Sequence, residues 1–255
     1  MSADPAVRWL REFGAGAPEL PVLVCLPHAG GTAGFFRPLS VTLARTHRVF
    51  AVQYPGRQDR FREPLIGDIE STAAALADAL RTTVAGPFEL LGHSMGALIG
   101  FEVARSLDTE TATRVRHLTV TSARPPASPS PRPPLHELDD TQFLERITTL
   151  GGTESSIFDD PETRAMYLPS LRSDYRAVER YRAAESADVG CGITVIAGLR
   201  DPLVSAATAE GWRAHTRGRF RVRVLDTDHF GVHRTPARLA TELSAERAFG
   251  RKTME

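Results

Sequence analysis

Lysine is almost absent from this chain, since Lys252 is the only one among 255 residues. Arginine therefore carries nearly all of the positive charge, and a catalytic lysine that forms a Schiff base is effectively excluded. Neither sign of charge is in excess, because 31 basic residues stand against 31 acidic ones and the isoelectric point lies near 7.1. Bulk electrostatics therefore give no reason to expect nucleic acid as a partner.

Cysteine and long apolar runs are also scarce. Cys25 and Cys191 each lie in an apolar, strand-like run, where a free thiol behaves as a small buried hydrophobe. Without a CxxC motif or a Cys/His cluster, the sequence predicts no disulfide framework, no metal and no cofactor. No run approaches the length of a membrane span, and charges occupy the place of a signal-peptide core: Asp4, Arg8, Arg11 and Glu12. We therefore expect a cytoplasmic protein that does not bind membranes. We also expect a monomer, although no pattern in the sequence bears on the oligomeric state.

Alternating segments predict an α/β fold in which a mostly parallel sheet is flanked by helices. Continuous apolar runs, typical of strands buried on both faces, are followed by segments with helical periodicity. A hydrophobic content of 42% suits one large domain, 1–255. Strands are expected near 20–26, 47–53, 116–122, 193–197 and 219–225, helices near 36–44, 68–83 and from 239 onward, and a loosely attached arm over 1–18 that Trp9, Leu10 and Phe13 can anchor.

The sequence Gly92-His93-Ser94-Met95-Gly96 is the most informative motif. It follows the short apolar run that starts at Phe88 and precedes a periodic apolar segment, which is typical of a strand, a sharp turn and a buried helix. This context favours a nucleophile elbow with Ser94 at its tip and the Met95 N–H as a donor to an oxyanion. The alternative is an ordinary glycine-rich turn between a strand and a helix.

A second glycine-rich loop follows the expected strand at 20–26. Its sequence, Pro27-His28-Ala29-Gly30-Gly31-Thr32-Ala33-Gly34, lacks the spacing and the lysine of a P-loop. Because this loop comes after an early strand, the Ala29 N–H is predicted to be the second oxyanion donor. A flexible turn without a function is the alternative.

A serine nucleophile needs a base, and the base needs an acidic partner. In this fold class the chain order is serine, then an acid, then histidine, each on a loop after a strand. Asp201 follows the strand expected at 193–197 and His229 follows the next one, so these two residues are the predicted acid and base. The alternatives are His28, His93 and His233 for the base, and Asp226 and Asp228 for the acid, with Asp201 merely capping a turn before Pro202.

The alternation breaks at the six prolines between Ser122 and Pro134, which exclude regular structure there. Two helical stripes follow, one after a predicted cap at Asp139 and ending at Gly151-Gly152, the other from Tyr167 to Tyr181. Residues 126–186 are therefore predicted to form a helical insertion. Its apolar stripes are more often core packing than substrate contacts.

Further motifs extend along the chain from about residue 20 to 240. They are Leu26-Pro-His-Ala-Gly-Gly31, Tyr54-Pro-Gly-Arg57, Gly92-His-Ser-Met-Gly96, Leu150-Gly-Gly-Thr153, Leu168-Pro-Ser-Leu-Arg-Ser-Asp-Tyr175, Gly198-Leu-Arg-Asp-Pro202 and Asp228-His-Phe230. Together they resemble the type II thioesterases of polyketide and non-ribosomal peptide synthetases. The one departure is Leu199, where that family usually has a polar or acidic residue.

The resemblance implies an α/β-hydrolase fold with a mobile helical lid. It also implies a serine thioesterase that hydrolyses acyl groups stalled on the phosphopantetheine arm of an acyl or peptidyl carrier protein, an editing role. Because carriers are acidic as a rule, arginines around the insertion are candidates for docking, or else simply its solvated face: Arg124, Arg132, Arg172, Arg176 and Arg180. The rival functions are a general carboxylesterase or lipase on small free esters and an inert hydrolase-fold binding module.

Overall fold

The computed structural model describes residues 7–14, 16–108, 114–129, 133–149 and 158–251. Seven strands form one sheet in the order β1-β3-β2-β4-β5-β6-β7. Among the strands of the described residues, only β1 runs antiparallel to its neighbour, and every other pairing is parallel. The predicted α/β class with a mostly parallel sheet is confirmed. The strands are β1 (Leu10–Glu12), β2 (Val22–Leu26), β3 (Arg48–Val52), β4 (Phe88–His93), β5 (Val115–Thr121), β6 (Gly192–Gly198) and β7 (Phe220–Leu225).

Helices cover both faces of the sheet, as the alternation along β2 shows. Val24 and Leu26 pack into the core beneath α2 and α3, whereas Leu23 and Cys25 pack with α1 and α8 on the opposite face. This burial on both faces explains the continuous apolar run in the sequence. The helices are α1 (Arg37–Leu43), α2 (Ile69–Thr83), α3 (Met95–Asp108), α4 (Asp140–Thr148), α5 (Pro161–Arg180), α6 (Ala206–Glu210), α7 (Gly231–Arg234) and α8 (Pro236–Arg251).

The amino-terminal segment corrects one prediction. Instead of a loose arm, residues 10–12 form β1, which pairs with β3 from Leu10 opposite Val52 to Glu12 opposite Phe50. Trp9 and Leu10 are buried, as the anchoring hypothesis expected, and the Arg60 guanidinium lies 4.5 Å from the centre of the Trp9 ring. Three residues are too few for the alternation of a strand to be recognised in a sequence. The strand conformation of this segment is therefore due to its pairing with β3, which the local sequence does not indicate.

Two helices, α4 and α5, lie between β5 and β6 where the sequence predicts the insertion. The Asp139 carboxylate accepts a hydrogen bond from the Gln142 N–H at 2.9 Å, so it caps α4 as expected. Residues 150–157, which include the predicted stop at Gly151-Gly152, lie outside the described residues. In the described ranges, no helix combines the length and the apolarity that a bilayer crossing requires.

Candidate active site

Ser94 occupies a sharp turn between β4 and α3. Its φ is 52°, in the left-handed region that a residue with a Cβ seldom adopts. The crowding explains the flanking glycines, because a Cβ on Gly92 would lie 2.3 Å from the Ala97 Cα and one on Gly96 would lie 2.0 Å from the Leu26 carbonyl oxygen. The strand, turn and helix predicted around Ser94 are therefore present.

His229 and Asp201 meet at the carboxyl ends of β6 and β7. The His229 Nδ1 lies 3.0 Å and 2.9 Å from the two carboxylate oxygens of Asp201, and the Asp201 side chain is wholly buried. Asp201 Oδ1 also accepts hydrogen bonds from the N–H groups of Leu203 and Val204, at 2.8 and 3.3 Å. Burial acts to raise the pKa of Asp201, but the hydrogen bond and charge of His229 outweigh it and hold this pKa below its ordinary value.

The rival histidines have other partners. The His93 Nδ1 lies 3.0 Å from the Thr121 hydroxyl, whose oxygen is also 2.9 Å from the His233 Nε2. His28 packs edge-on against Phe35 and Phe230. Of these four histidines in the described chain, His229 alone contacts a carboxylate.

The rival acids are also engaged elsewhere. Asp226 pairs with Arg200, and Asp228 pairs with Arg234 at 2.5 Å. Both side chains are well exposed to solvent, in contrast to Asp201. Neither shares a hydrogen bond with His229 in the described part of the chain.

In the glycine-rich loop after β2, the two N–H groups that follow Ala29 are already paired. The Gly31 N–H donates to the His28 carbonyl at 2.9 Å, and the Gly30 N–H donates to the Asp174 carboxylate at 2.7 Å. The Ala29 N–H has no acceptor among the described residues. Met95 is the first residue of α3, so its N–H has no acceptor within the helix either. These are the two N–H groups that the sequence predicts to be oxyanion donors.

Ser94, His229 and Ala29 line one cavity of about 630 Å³. Its walls come from loops at the sheet edge and from the insertion, and they include the apolar side chains of Ala123, Pro125, Ile147, Leu171, Val178 and Leu203. Phe143, Leu144 and Leu168 instead pack into a small core shared by α4 and α5. The stripes of the two helices therefore serve both purposes, core packing and cavity lining.

A family model described as the thioesterase domain matches residues 21–245. The chain belongs to the thioesterase family. Two similar relatives are a probable cadicidin biosynthesis thioesterase of Streptomyces griseus, 39% identical over 89% of this chain and 62% of that protein, and the thioesterase PikA5 of Streptomyces venezuelae, 39% identical over 87% of this chain and 79% of that protein. Among solved structures, the type II thioesterase BorB from the borrelidin biosynthetic cluster matches with a TM-score of 0.84 and 37% identity, over 96% of this chain and 98% of that one.

These comparisons confirm the resemblance to type II thioesterases of polyketide and non-ribosomal peptide systems, and with it the α/β-hydrolase fold. The thioesterase is thus a hydrolase that acts on thioesters.

The structure adds three site residues that sequence reasoning missed. The Ser122 hydroxyl donates to the His229 carbonyl at 2.9 Å, and Ser122 has a φ of 52°. Arg57 and Asp174 form a buried ion pair against the loop that contains Ala29. Arg57 and Asp174 both lie in motifs that carried the family resemblance, but nothing in those motifs indicates that they touch.

Acid should destabilise this thioesterase below about pH 6.5. Burial, followed by the charges of neighbouring groups such as His229, lowers the pKa of His28 and of His233 to about 3. The unfolded chain binds protons at these histidines near pH 6.5 and the folded chain does not, so stability is lost as the pH falls between these values. In that pH window, each of the two histidines lowers the free energy of unfolding by about 1.4 kcal/mol for every unit that the pH falls.

Urea unfolding at several pH values between 7.5 and 5 measures how the free energy of unfolding changes with pH. His233→Asn should reduce this slope by the equivalent of about one bound proton, whatever the substitution does to the absolute stability. A free energy of unfolding that stays constant over this pH range contradicts the inference that His28 and His233 are uncharged in the folded protein.

Proposed function

We propose that this thioesterase hydrolyses acyl groups from the phosphopantetheine arm of carrier proteins and thereby edits stalled or aberrant acyl units in polyketide or non-ribosomal peptide synthesis. The observation that carries the proposal is the buried Asp201–His229 pair, with His229 opening into the same cavity as Ser94. The names of two relatives, a cadicidin biosynthesis thioesterase and a type II thioesterase from the borrelidin biosynthetic cluster, support the choice of substrate. A cytoplasmic location and a monomeric state form part of the proposal.

The proposed roles follow from general acid–base chemistry. His229 takes the proton of the Ser94 hydroxyl while the serine oxygen attacks the thioester carbonyl, and the N–H groups of Ala29 and Met95 hold the oxyanion. The carbon–sulfur bond then breaks, and His229 returns the proton to the departing thiol. Water attacks the acyl-serine ester as His229 removes its proton, which passes to the Ser94 oxygen when the free acid leaves. Asp201 orients the imidazole throughout.

We further propose that residues 126–186 act as a helical lid within a single domain, 1–255. Among the arginines suggested for carrier docking, Arg172 is engaged within the lid, since it donates at 2.7 Å to the carbonyls of His136 and Leu138 and to Asp140. Arg124 is half-buried beside the cavity and bonded to the Pro129 carbonyl, and Arg132 lies outside the described residues. Arg176 and Arg180 are exposed on α5 and remain the candidates.

The test compares one acyl group on two leaving groups. A carrier protein bearing the acyl group as a phosphopantetheine thioester should be hydrolysed with a kcat/KM at least about 100-fold above that of the matching small oxygen ester, because carrier contacts supply binding energy and a thiolate departs readily. Mass spectrometry of the carrier follows the reaction directly. In the same assay, reversing both charges with Arg176→Glu and Arg180→Glu should raise KM for the carrier substrate and leave the oxygen ester unaffected.

Two results would favour the rival functions. Equal or faster turnover of the free oxygen ester indicates a general esterase. If a fluorophosphonate fails to label Ser94 and neither substrate is consumed, the chain is an inert binding module on a hydrolase fold.

A further inference from the structure

One carboxylate of the insertion reaches into the glycine-rich loop after β2. Asp174, on α5, accepts the Gly30 N–H at 2.7 Å across 144 residues of sequence. Gly30 itself has a φ of 76°, and a Cβ there would come within 2.6 Å of the Leu171 Cδ1, one helical turn before Asp174. The loop that contains Ala29 is therefore fitted directly against α5.

Arg57, in the loop after β3, binds the same Asp174 carboxylate. Its guanidinium binds both carboxylate oxygens of Asp174, at 2.7 and 2.9 Å, and lies 3.3 Å from the Gly31 carbonyl oxygen that it also donates to. Arg57 and Asp174 are only 4% and 5% exposed. A buried bidentate ion pair holds both side chains in one orientation. Both charged groups have lost their hydration, and only well-aligned hydrogen bonds between them offset that cost.

The loop has three consecutive N–H groups, those of Ala29, Gly30 and Gly31, and two of them are already paired. Asp174 accepts the Gly30 N–H and the His28 carbonyl accepts the Gly31 N–H, so of these three the Ala29 N–H is the one without an acceptor among the described residues, and Ala29 lines the same cavity as Ser94. An oxyanion donor acts through its position, since hydrogen bonds that are already in place need no reorganisation during the reaction. A shift of about 1 Å costs on the order of 100-fold in rate.

We infer that Asp174 and Arg57 are positioning residues that hold the Ala29 N–H in place for the oxyanion, and that they couple α5 to catalysis. The inference rests on the proposed function, in which Ala29 is an oxyanion donor. If α5 moves away from the loop, the Gly30 N–H loses its acceptor, the Asp174 carboxylate. The oxyanion site is therefore complete only while α5 packs against the loop. Neither residue touches the substrate in this arrangement; both act through the loop.

Asp174→Asn keeps the shape of the side chain but removes its charge. Because the amide cannot accept from Gly30 and from both guanidinium nitrogens as the carboxylate does, kcat on an acyl carrier should fall about 10- to 100-fold, with KM within about 2-fold of wild type. The affinity for an alkyl boronic acid, which forms a tetrahedral adduct with the serine, should fall in parallel with kcat. The affinity for the free carboxylic acid product should stay the same, and a purely structural role would not separate these two ligands.

The double variant Arg57→Met with Asp174→Leu separates positioning from the cost of an unpaired buried charge. Replacement of both partners by apolar residues of similar volume leaves no buried charge, so this variant should fold, as its thermal unfolding midpoint will report. Its kcat should remain about 10- to 100-fold low, because the Gly30 N–H still lacks its acceptor. Recovery of wild-type kcat in the double variant, or a wild-type kcat and boronate affinity in Asp174→Asn, overturns the inference.

Two further variants complete the experiment. Glu242→Gln removes a different ion pair, between Glu242 on α8 and Arg223 on β7, and should leave kcat unchanged. Ser94→Ala in the same assay tests the proposed function itself. If this variant retains turnover, the serine mechanism is wrong. If it loses turnover, the serine mechanism is supported, and the Asp174 variants then test the positioning role separately.

Discussion

Ser94→Ala should lower kcat on an acyl carrier thioester by on the order of 10⁶-fold, to the limit of detection. The serine oxygen forms the covalent bond to the acyl group in the proposed mechanism, and the methyl group of an alanine has no oxygen to replace it. Single-turnover mass spectrometry of the carrier measures the remaining rate. Retention of even a tenth of the wild-type rate would exclude Ser94 as the nucleophile.

The fold should survive this substitution. Alanine keeps the Cβ, so the strained φ of 52° at position 94 is neither relieved nor worsened, and the hydrogen bond from the residue 94 N–H to the Thr121 carbonyl at 2.9 Å remains. Ser244→Ala is the matched control, because Ser244 lies on α8 and its hydroxyl donates to the Ala240 carbonyl of the same helix at 2.9 Å. It should retain full activity. Circular dichroism and the unfolding midpoint of both variants check that only chemistry is affected.

The elbow and the order of the site residues could be predicted because both are local signals. Steric crowding demands glycine on either side of Ser94, and a parallel sheet brings the loops after its strands to one edge, so that Asp201 and His229 meet. Apolar runs likewise indicate strands buried on both faces. Each of these inferences depends on a few neighbouring residues or on a fold rule.

The ion pair of Arg57 with Asp174 could not be predicted in this way. These residues are 117 positions apart, and their contact depends on how α5 packs over the loop, which no periodicity encodes. The same limit applies to β1, which becomes a strand through pairing with β3, and to Ser122, whose hydroxyl reaches a carbonyl 107 positions away. Local patterns predict elements, whereas tertiary packing decides which polar groups meet.

Asp201→Asn is expected to lower kcat about 10⁴-fold, the second largest effect. The Asp201 carboxylate serves two sides: Oδ1 accepts the N–H groups of Leu203 and Val204, and both oxygens face the His229 Nδ1, Oδ1 at 3.0 Å and Oδ2 at 2.9 Å. In the variant the amide oxygen remains on the Leu203 and Val204 side, which places the amide NH₂ against Nδ1. The nearer contact of Nδ1, at 2.9 Å, is then an N–H donor, which favours the tautomer that carries the ring proton on Nε2. In that tautomer the imidazole cannot take the proton of Ser94.

This variant also separates the two interpretations of Asp201 that the sequence left open. A residue that merely caps the turn before Pro202 would do so equally well as asparagine, because the amide oxygen still accepts the Leu203 N–H. Asp226→Asn is the control, since Asp226 is exposed and pairs with Arg200, and its kcat should stay within about 2-fold of wild type. If Asp201→Asn were as active as Asp226→Asn, the carboxylate would serve the turn alone. A loss near 10⁴-fold without a matching drop in the unfolding midpoint means that the buried carboxylate acts on His229, whose imidazole it holds in the tautomer that can accept a proton.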